Sequence, residues 1–330
     1  MVEMQASCHV ETAQNRQLAW RIPDEAGKSC REPRKCLPGS VCSGGRALAV
    51  YNAVREFPSE DWMKRRFGVA SACHAAGLAM AGAEVADAAD LASHRATYRM
   101  GLSASRSGSG MANASGAWTY QFIDACDGWI TEFQLVITYA YSEGGQVATV
   151  TDFLGWESKD GLQYRFRVRQ SREGQVTEEV EGAARLNGPG QGGTARYTRP
   201  EVRNIKLPKG TLFPTAHTIR LIETANKGGR ILSRPLFDGQ GEEGALETSA
   251  QIGRATTSQA TAISSPLLNS PAWPMRMAFF PVGSTDPLPE FEMSLNYHAN
   301  GVAEDIEQIF KTFSLKGRLE SIEILPRTKC

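Results

Sequence analysis

From about residue 90 onward, apolar residues alternate with polar ones, and this period of two constrains the fold more than any other feature. Leu162, Tyr164, Phe166 and Val168 alternate with Gln163, Arg165, Arg167 and Arg169. Phe291, Met293, Leu295 and Tyr297 alternate with Glu292, Ser294, Asn296 and His298. Successive strand side chains point to opposite faces, so this pattern describes a sheet with one dry and one wet face. Turn dipeptides punctuate the runs: Asp127-Gly128, Gly144-Gly145, Asp160-Gly161, Asn187-Gly188 and Asn300-Gly301. Asn-Gly and Asp-Gly supply the positive φ angles that tight hairpins require. The expectation is a mainly β, antiparallel fold of roughly a dozen short strands.

One hairpin can be put in register. With Arg172-Glu173-Gly174 as a three-residue loop, Ser171 faces Gln175 and Phe166 faces Val180 on the dry side. Arg167 then faces Glu179 and Arg165 faces Glu181, which makes the arginine run a neutralised sheet face. The same register places Glu178 on the dry side opposite Val168, a fault that a bulge would correct. One segment departs from the alternation. After Phe213-Pro214, Thr215 can cap a helix carrying Ile219 and Ile222, with Lys227 and Gly228-Gly229 at its end. A single helix among strands would pack on the dry sheet face. Ser258 to Ser270 is rich in Ser, Thr and Ala and is expected to be a loop. No shift in composition divides residues 89–330, which are expected to form a single domain.

The N-terminal third has a different character. Met63-Lys64-Arg65-Arg66 is a basic start, Phe67 to Ala81 is apolar and small, and Ala81-Gly82-Ala83 and Ala86-Asp87-Ala88 are small-x-small sites. That order of charge, apolar core and cleavage site is the signature of a secretory signal peptide over 63–88. Residues 1–62 show no hydrophobic period and hold many breakers, such as Pro38-Gly39 and Ser43-Gly44-Gly45. They read as translated upstream sequence before a true start at Met63, or as a disordered extension. Cys30, Cys36 and Cys42 stand too far apart for the two-to-four-residue intervals of a zinc site. Cys73 follows Ala70-Ser71-Ala72 and only loosely resembles a lipoprotein box.

Five of the seven cysteines precede residue 89, so export would leave two, Cys126 and the terminal Cys330. An even count in an exported chain reads as a disulfide, and oxidising compartments preserve one. Closing a loop of about 200 residues contributes roughly 5 kcal/mol in the chain-entropy account. The whole chain balances 36 basic against 36 acidic residues. No basic stripe marks a nucleic-acid footprint, so no nucleic-acid partner is expected.

Chemistry is sparse. His94, His217 and His298 fall in three separate elements and read as structural residues, with no metal or cofactor expected. Gly188-Pro189-Gly190-Gln191-Gly192-Gly193 matches the dinucleotide pattern literally. Thr194-Ala195-Arg196-Tyr197 then continues as strand, where that pattern requires a helix. Asp152, Glu157 and Asp160 lie near a turn and are expected to be solvated. An acid/base dyad would need two carboxylates in one cleft.

Several motifs in order carry a resemblance. They begin with Leu91-Ala92-Ser93-His94-Arg95-Ala96-Thr97-Tyr98, Ala125-Cys126-Asp127-Gly128-Trp129 and Ser142-Glu143-Gly144-Gly145. Leu212-Phe213-Pro214-Thr215-Ala216-His217, Phe313-Ser314-Leu315-Lys316-Gly317 and the terminal Cys330 follow. Over 91–330 the chain resembles the EipB family of cell-envelope integrity proteins. That resemblance implies an antiparallel β-spiral, an unclosed barrel wrapped around one central helix, with Cys126 and Cys330 matching the family's disulfide. It also implies a periplasmic protein of Gram-negative bacteria that supports resistance to envelope stress, without catalysis or cofactor. A periplasmic tetratricopeptide-repeat protein is implied as a functional associate. Two other readings remain open. A curved apolar face could carry a lipid or lipopolysaccharide, and a cleft of convergent polar groups would define a hydrolase of envelope polymers.

Overall fold

The computed structural model describes residues 90–241, 244–256, 263–326 and 328–330. The expected upstream extension over 1–62 and the export signal over 63–88 lie outside the described residues, as does the 258–262 part of the expected loop.

Fourteen strands are present among the described residues. The first arm holds β1 (His94–Ser105), β2 (Met111–Asp124), β3 (Gly128–Tyr141), β4 (Gln146–Ser158), β5 (Gln163–Arg172), β6 (Gln175–Leu186), β7 (Gly193–Arg199) and β8 (Arg203–Leu207). The helix α1 (Pro214–Asn226) follows. The second arm holds β9 (Ile231–Leu236), β10 (Leu246–Ile252), β11 (Ala272–Pro281), β12 (Phe291–His298), β13 (Ala303–Ile309) and β14 (Phe313–Ile324).

All fourteen strands belong to one sheet, ordered β8-β7-β6-β5-β4-β3-β2-β1-β14-β13-β12-β11-β10-β9. Consecutive hairpins build each arm, and antiparallel pairing of β1 with β14 joins the two arms in the middle. The sheet therefore stays open, with β8 and β9 as its free edges. The chain leaves one edge at β8, forms α1, and re-enters at the other edge as β9. A parallel bridge between Leu212 and Leu236 ties the entry to α1 onto β9.

The dry face carries the core. One cluster gathers Tyr98, Met100, Ile137 and Leu315 of the sheet with Leu221, Ile222 and Ala225 of α1. A second gathers Phe166, Tyr197 and Leu207 with Phe213, which precedes α1, and Phe237, which follows β9. Tyr164 stacks on Phe213 at 5.2 Å, and Phe166 meets Phe237 edge-on at 5.4 Å. Each buried large apolar side chain contributes about 1.5–3 kcal/mol, so the space inside the curved sheet is occupied by packed side chains. The helix touches both arms: Leu221 and Ile222 share a cluster with Leu295 of β12, and its first turn meets Glu157 of β4. The sheet is thus mainly β, antiparallel, unclosed and wrapped around α1.

Two local expectations need correction. The β5–β6 turn is the two-residue Glu173-Gly174, with φ of 50° and 77°, and Arg172 pairs with Gln175. A register shift beside Ser171 then sets Val168 against Val180, Arg169 against Glu179 and Arg167 against Glu181. The shift sets Glu178 opposite Gln170, still on the face of Val168 and Val180, and Phe166 opposite Gly182. A Cβ at Gly182 would lie 2.6 Å from both the Arg196 carbonyl oxygen and Phe166 Cζ, so the packed ring requires glycine there. The second correction concerns α1. Phe213 is the N-cap and makes no side-chain cap bond, Pro214 occupies the first turn, and Thr215 lies inside the helix. Proline suits this position because its missing N–H would have no partner within the helix. The C-terminal end agrees with its signals: Lys227 caps it, and Gly228 adopts a φ of 76°.

Candidate functional site

The two cysteines expected to pair do come together. Cys126 and Cys330 stand in disulfide geometry, with Cα atoms 5.7 Å apart across a sequence separation of 204. Cys126 occupies the β2–β3 turn with a φ of 66°, so the left-handed position falls on it and not on the expected Asp127-Gly128 pair. Its N–H donates to Asp124 Oδ1 at 3.1 Å. Lys159 completes the corner, with Nζ 2.7 Å from Asp124 Oδ1 and 3.0 Å from the Trp129 ring centre. Beyond β14 the chain is fastened twice more. Leu325 N–H donates to the Ser93 carbonyl at 3.0 Å, and Thr328 Oγ1 donates to the Asp124 carbonyl at 2.6 Å. The cysteine pair therefore lies at the middle of the sheet, where β2, β1 and β14 are already neighbours, and not at its free edges.

A carboxylate of β4 fastens the start of α1 to the sheet. Glu157, expected to be solvated, is 2 % exposed. Its Oε2 accepts the Thr215 N–H at 2.7 Å and its Oε1 accepts the Ala216 N–H at 2.8 Å. These are orphan donors of the first turn of α1, so a β4 carboxylate caps the helix where Phe213 cannot. Burial raises the Glu157 pKa from 4.5 to about 7, against the lowering effect of the two backbone hydrogen bonds. Two of its sequence neighbours fare as expected or nearly so. Asp160 is exposed and takes a hydrogen bond from Leu162 N–H at 2.9 Å. Asp152 is half-buried and accepts Gln134 Nε2 at 2.7 Å. Glu157 has no local sequence signal, because its partner lies 58 residues away.

The three histidines are buried in three places, and none meets another. His94 Nδ1 donates to the Ala92 carbonyl at 2.7 Å, and burial lowers its pKa. His217 lies on α1, and burial lowers its pKa to about 4. His298 sits 2.7 Å from Glu304 Oε2 through Nε2 and 3.4 Å from Ser270 Oγ through Nδ1. Ser, His and Glu in contact suggest a nucleophile with its base, but the geometry denies that chemistry. Nδ1 also lies 3.0 Å from the Ser270 carbonyl, which only accepts, so Nδ1 carries a proton and cannot take one from Oγ. His298 is 0 % exposed and Glu304 3 %, while Ser270 is half-buried. His298 was expected on the wet face. It is buried because a separate cluster of Leu267, Leu268 and Val302 covers that end of β12.

A shallow depression of about 380 Å³ lies on the outer face of β10–β13, lined by Gln251, Pro274, Arg276, Asn296 and Asp305. It is open, and apolar atoms make up the larger part of its lining.

An open antiparallel sheet wrapped on a helix that connects its own two edges defines the class of fold: a β-spiral, or barrel without a closing seam. The comparisons supply the family. The EipB-like family profile matches residues 85–326, and the chain belongs to that family. It is 29 % identical over 255 residues to the cell envelope integrity protein EipB of Brucella abortus, covering 76 % of this chain and 89 % of that protein. A crystal structure of a β-barrel-like protein from Brucella abortus, of a domain family of unknown function, superposes with a TM-score of 0.66. It has 26 % identity and covers 72 % of this chain and 99 % of that one.

Proposed function

We propose that this chain is exported to the periplasm and there maintains the integrity of the cell envelope without catalysing a reaction. The observation that carries the proposal is family membership over 85–326, together with a curated relative named for envelope integrity. The absence of catalysis is supported by the structural use of the buried carboxylates. Glu157 is spent on a helix terminus, and Glu304 is buried against His298. Carriage of a lipid finds less support, because α1, Phe213 and Phe237 occupy the space a carrier would reserve for its cargo. The proposed periplasmic location supplies the oxidising conditions in which Cys126 and Cys330 remain joined. Association with a periplasmic tetratricopeptide-repeat protein belongs to the same reading.

The test is a deletion strain challenged with detergent and a β-lactam. Rescue is expected from a gene starting at Met63 and from the same gene carrying Glu304→Gln, which removes a carboxylate a hydrolase would need. Loss of rescue by Glu304→Gln, with the variant protein folded and abundant, would overturn the non-catalytic reading. A deletion strain as resistant as its parent would overturn the envelope role.

A further inference from the structure

The arginine run on β5 divides into two parts once the register is known. Towards the β5–β6 turn the charges are matched. Arg169 faces Glu179, Arg167 faces Glu181, and Arg199 Nη1 lies 2.5 Å from Glu179 Oε2. Towards the other end of the same strands the register neighbours change. Arg165 faces Ala183, which faces Arg196, which faces Asn204. In the next outward row Gln163 faces Arg185, which faces Thr194, which faces Lys206. The intervening residues Tyr164, Ala184, Ala195 and Leu207 are buried, so the two rows belong to the wet face.

These rows form a checkerboard. Arg165 and Arg196 flank the small Ala183, and Arg185 and Lys206 flank Thr194. Adjacent strands lie about 4.8 Å apart, so flanking cations stand about 10 Å apart and diagonal ones somewhat closer. Arg185, Arg196 and Lys206 are exposed. Arg165 is half-buried and held over the Trp156 ring at 4.8 Å, the neighbouring position of its own row. One carboxylate, Asp160, feels Arg185. No cross-strand carboxylate faces Arg185, Arg196 or Lys206, and Glu181 lies one row away on the diagonal from Arg196. Like charges this close oppose folding, and a protein sheds them unless something else compensates.

We propose that this outer patch of β5–β8 docks on an anionic lipid surface. The face is a pleated sheet with alanine and threonine at its centres, so it has no walls to enclose one small anion. A flat array of separated cations complements a flat array of lipid phosphates, and Trp156 is an aromatic residue of the kind enriched at membrane interfaces. The inference stands on the register alone and does not depend on the envelope reading.

The test is sedimentation of the mature chain with phosphatidylcholine–phosphatidylglycerol vesicles at low ionic strength. Each basic residue near an anionic surface contributes about 1 kcal/mol, a factor of about five in partitioning. The triple variant Arg185→Ser, Arg196→Ser, Lys206→Ser is therefore expected to bind about a hundredfold more weakly, and salt should release the parent. The control is Arg95→Ser, Arg99→Ser, Arg276→Ser, which removes equal charge from β1 and β11, where each arginine has a carboxylate partner. It should bind like the parent. Melting curves establish that both variants fold, since all six side chains lie on the wet face. No binding by the parent, or equal loss in both triples, would overturn the proposal. So would capture of soluble polyphosphate by a parent protein that ignores vesicles.

Discussion

Replacing Glu157 with glutamine should make the fold's stability respond to pH in a calculable way. The carboxyl pKa stands at about 7 in the folded chain against 4.5 when unfolded, chiefly through burial. A raised folded pKa means that the folded state holds the proton more tightly. The associated stability is fully present below pH 4.5 and is lost as pH rises through about 7. A displacement of that size corresponds to about 3 kcal/mol in full, of which about 2.5 kcal/mol falls between pH 5 and pH 8. Glutamine resembles the protonated carboxyl and still accepts one of the two N–H groups. Glu157→Gln should therefore match the parent near pH 5 and be the more stable protein by about 2.5 kcal/mol at pH 8. Urea unfolding at several pH values, with parent and variant compared at each, isolates this group. The titratable neighbour Tyr164, on which Glu157 acts, is common to both proteins. A stability difference that stays constant from pH 5 to pH 8 would refute the reasoning. It would mean that the two helix-terminal N–H bonds offset the burial cost completely.

Three further outcomes follow from particular contacts. Cys126→Ser should lower the unfolding free energy by up to about 5 kcal/mol, read by urea titration; reductant should give the parent the same loss, and unchanged stability would contradict it. Gly182→Ala should cost about 1–3 kcal/mol, because the added Cβ meets the Arg196 carbonyl as well as a ring that cannot retreat; an unshifted melting temperature would be the contrary result. His217 titrates opposite to Glu157: its folded pKa is lowered to about 4, so its contribution is present above pH 6.5 and lost as pH falls towards 4, and His217→Gln should flatten the acid side of the stability curve.

The strands were legible because period two is a local property: Tyr164, Phe166 and Val168 are buried in β5 as their alternation requires. The single helix was legible from Pro214, Lys227 and the glycines after it. The hairpin register was not, because one inserted residue beside Ser171 is decided by how Phe166 packs on Gly182, a contact across strands. His298 alternates as a wet residue and is buried because Leu267 and Leu268 arrive from another part of the chain. The position of the cysteine pair was legible in its identity and not in its role. Its partners could be named by counting, but the order β2-β1-β14 shows that it fastens the C-terminal segment to the β2–β3 turn and leaves the open edges to α1. Glu157 was expected to be solvated for the same reason: its partner in α1 lies 58 residues further on, beyond the β8 edge.

The central claim is an exported chain whose terminal Cys330 is fastened to Cys126 at the middle of an open sheet. Non-reducing peptide mass spectrometry on protein recovered from the periplasm tests export and fastening together. The account predicts one peptide pair joined through Cys126 and Cys330 and an N-terminus beyond the 63–88 signal. Free thiols at both positions, or a protein found only in the cytoplasm with residues 63–88 still attached, would contradict it.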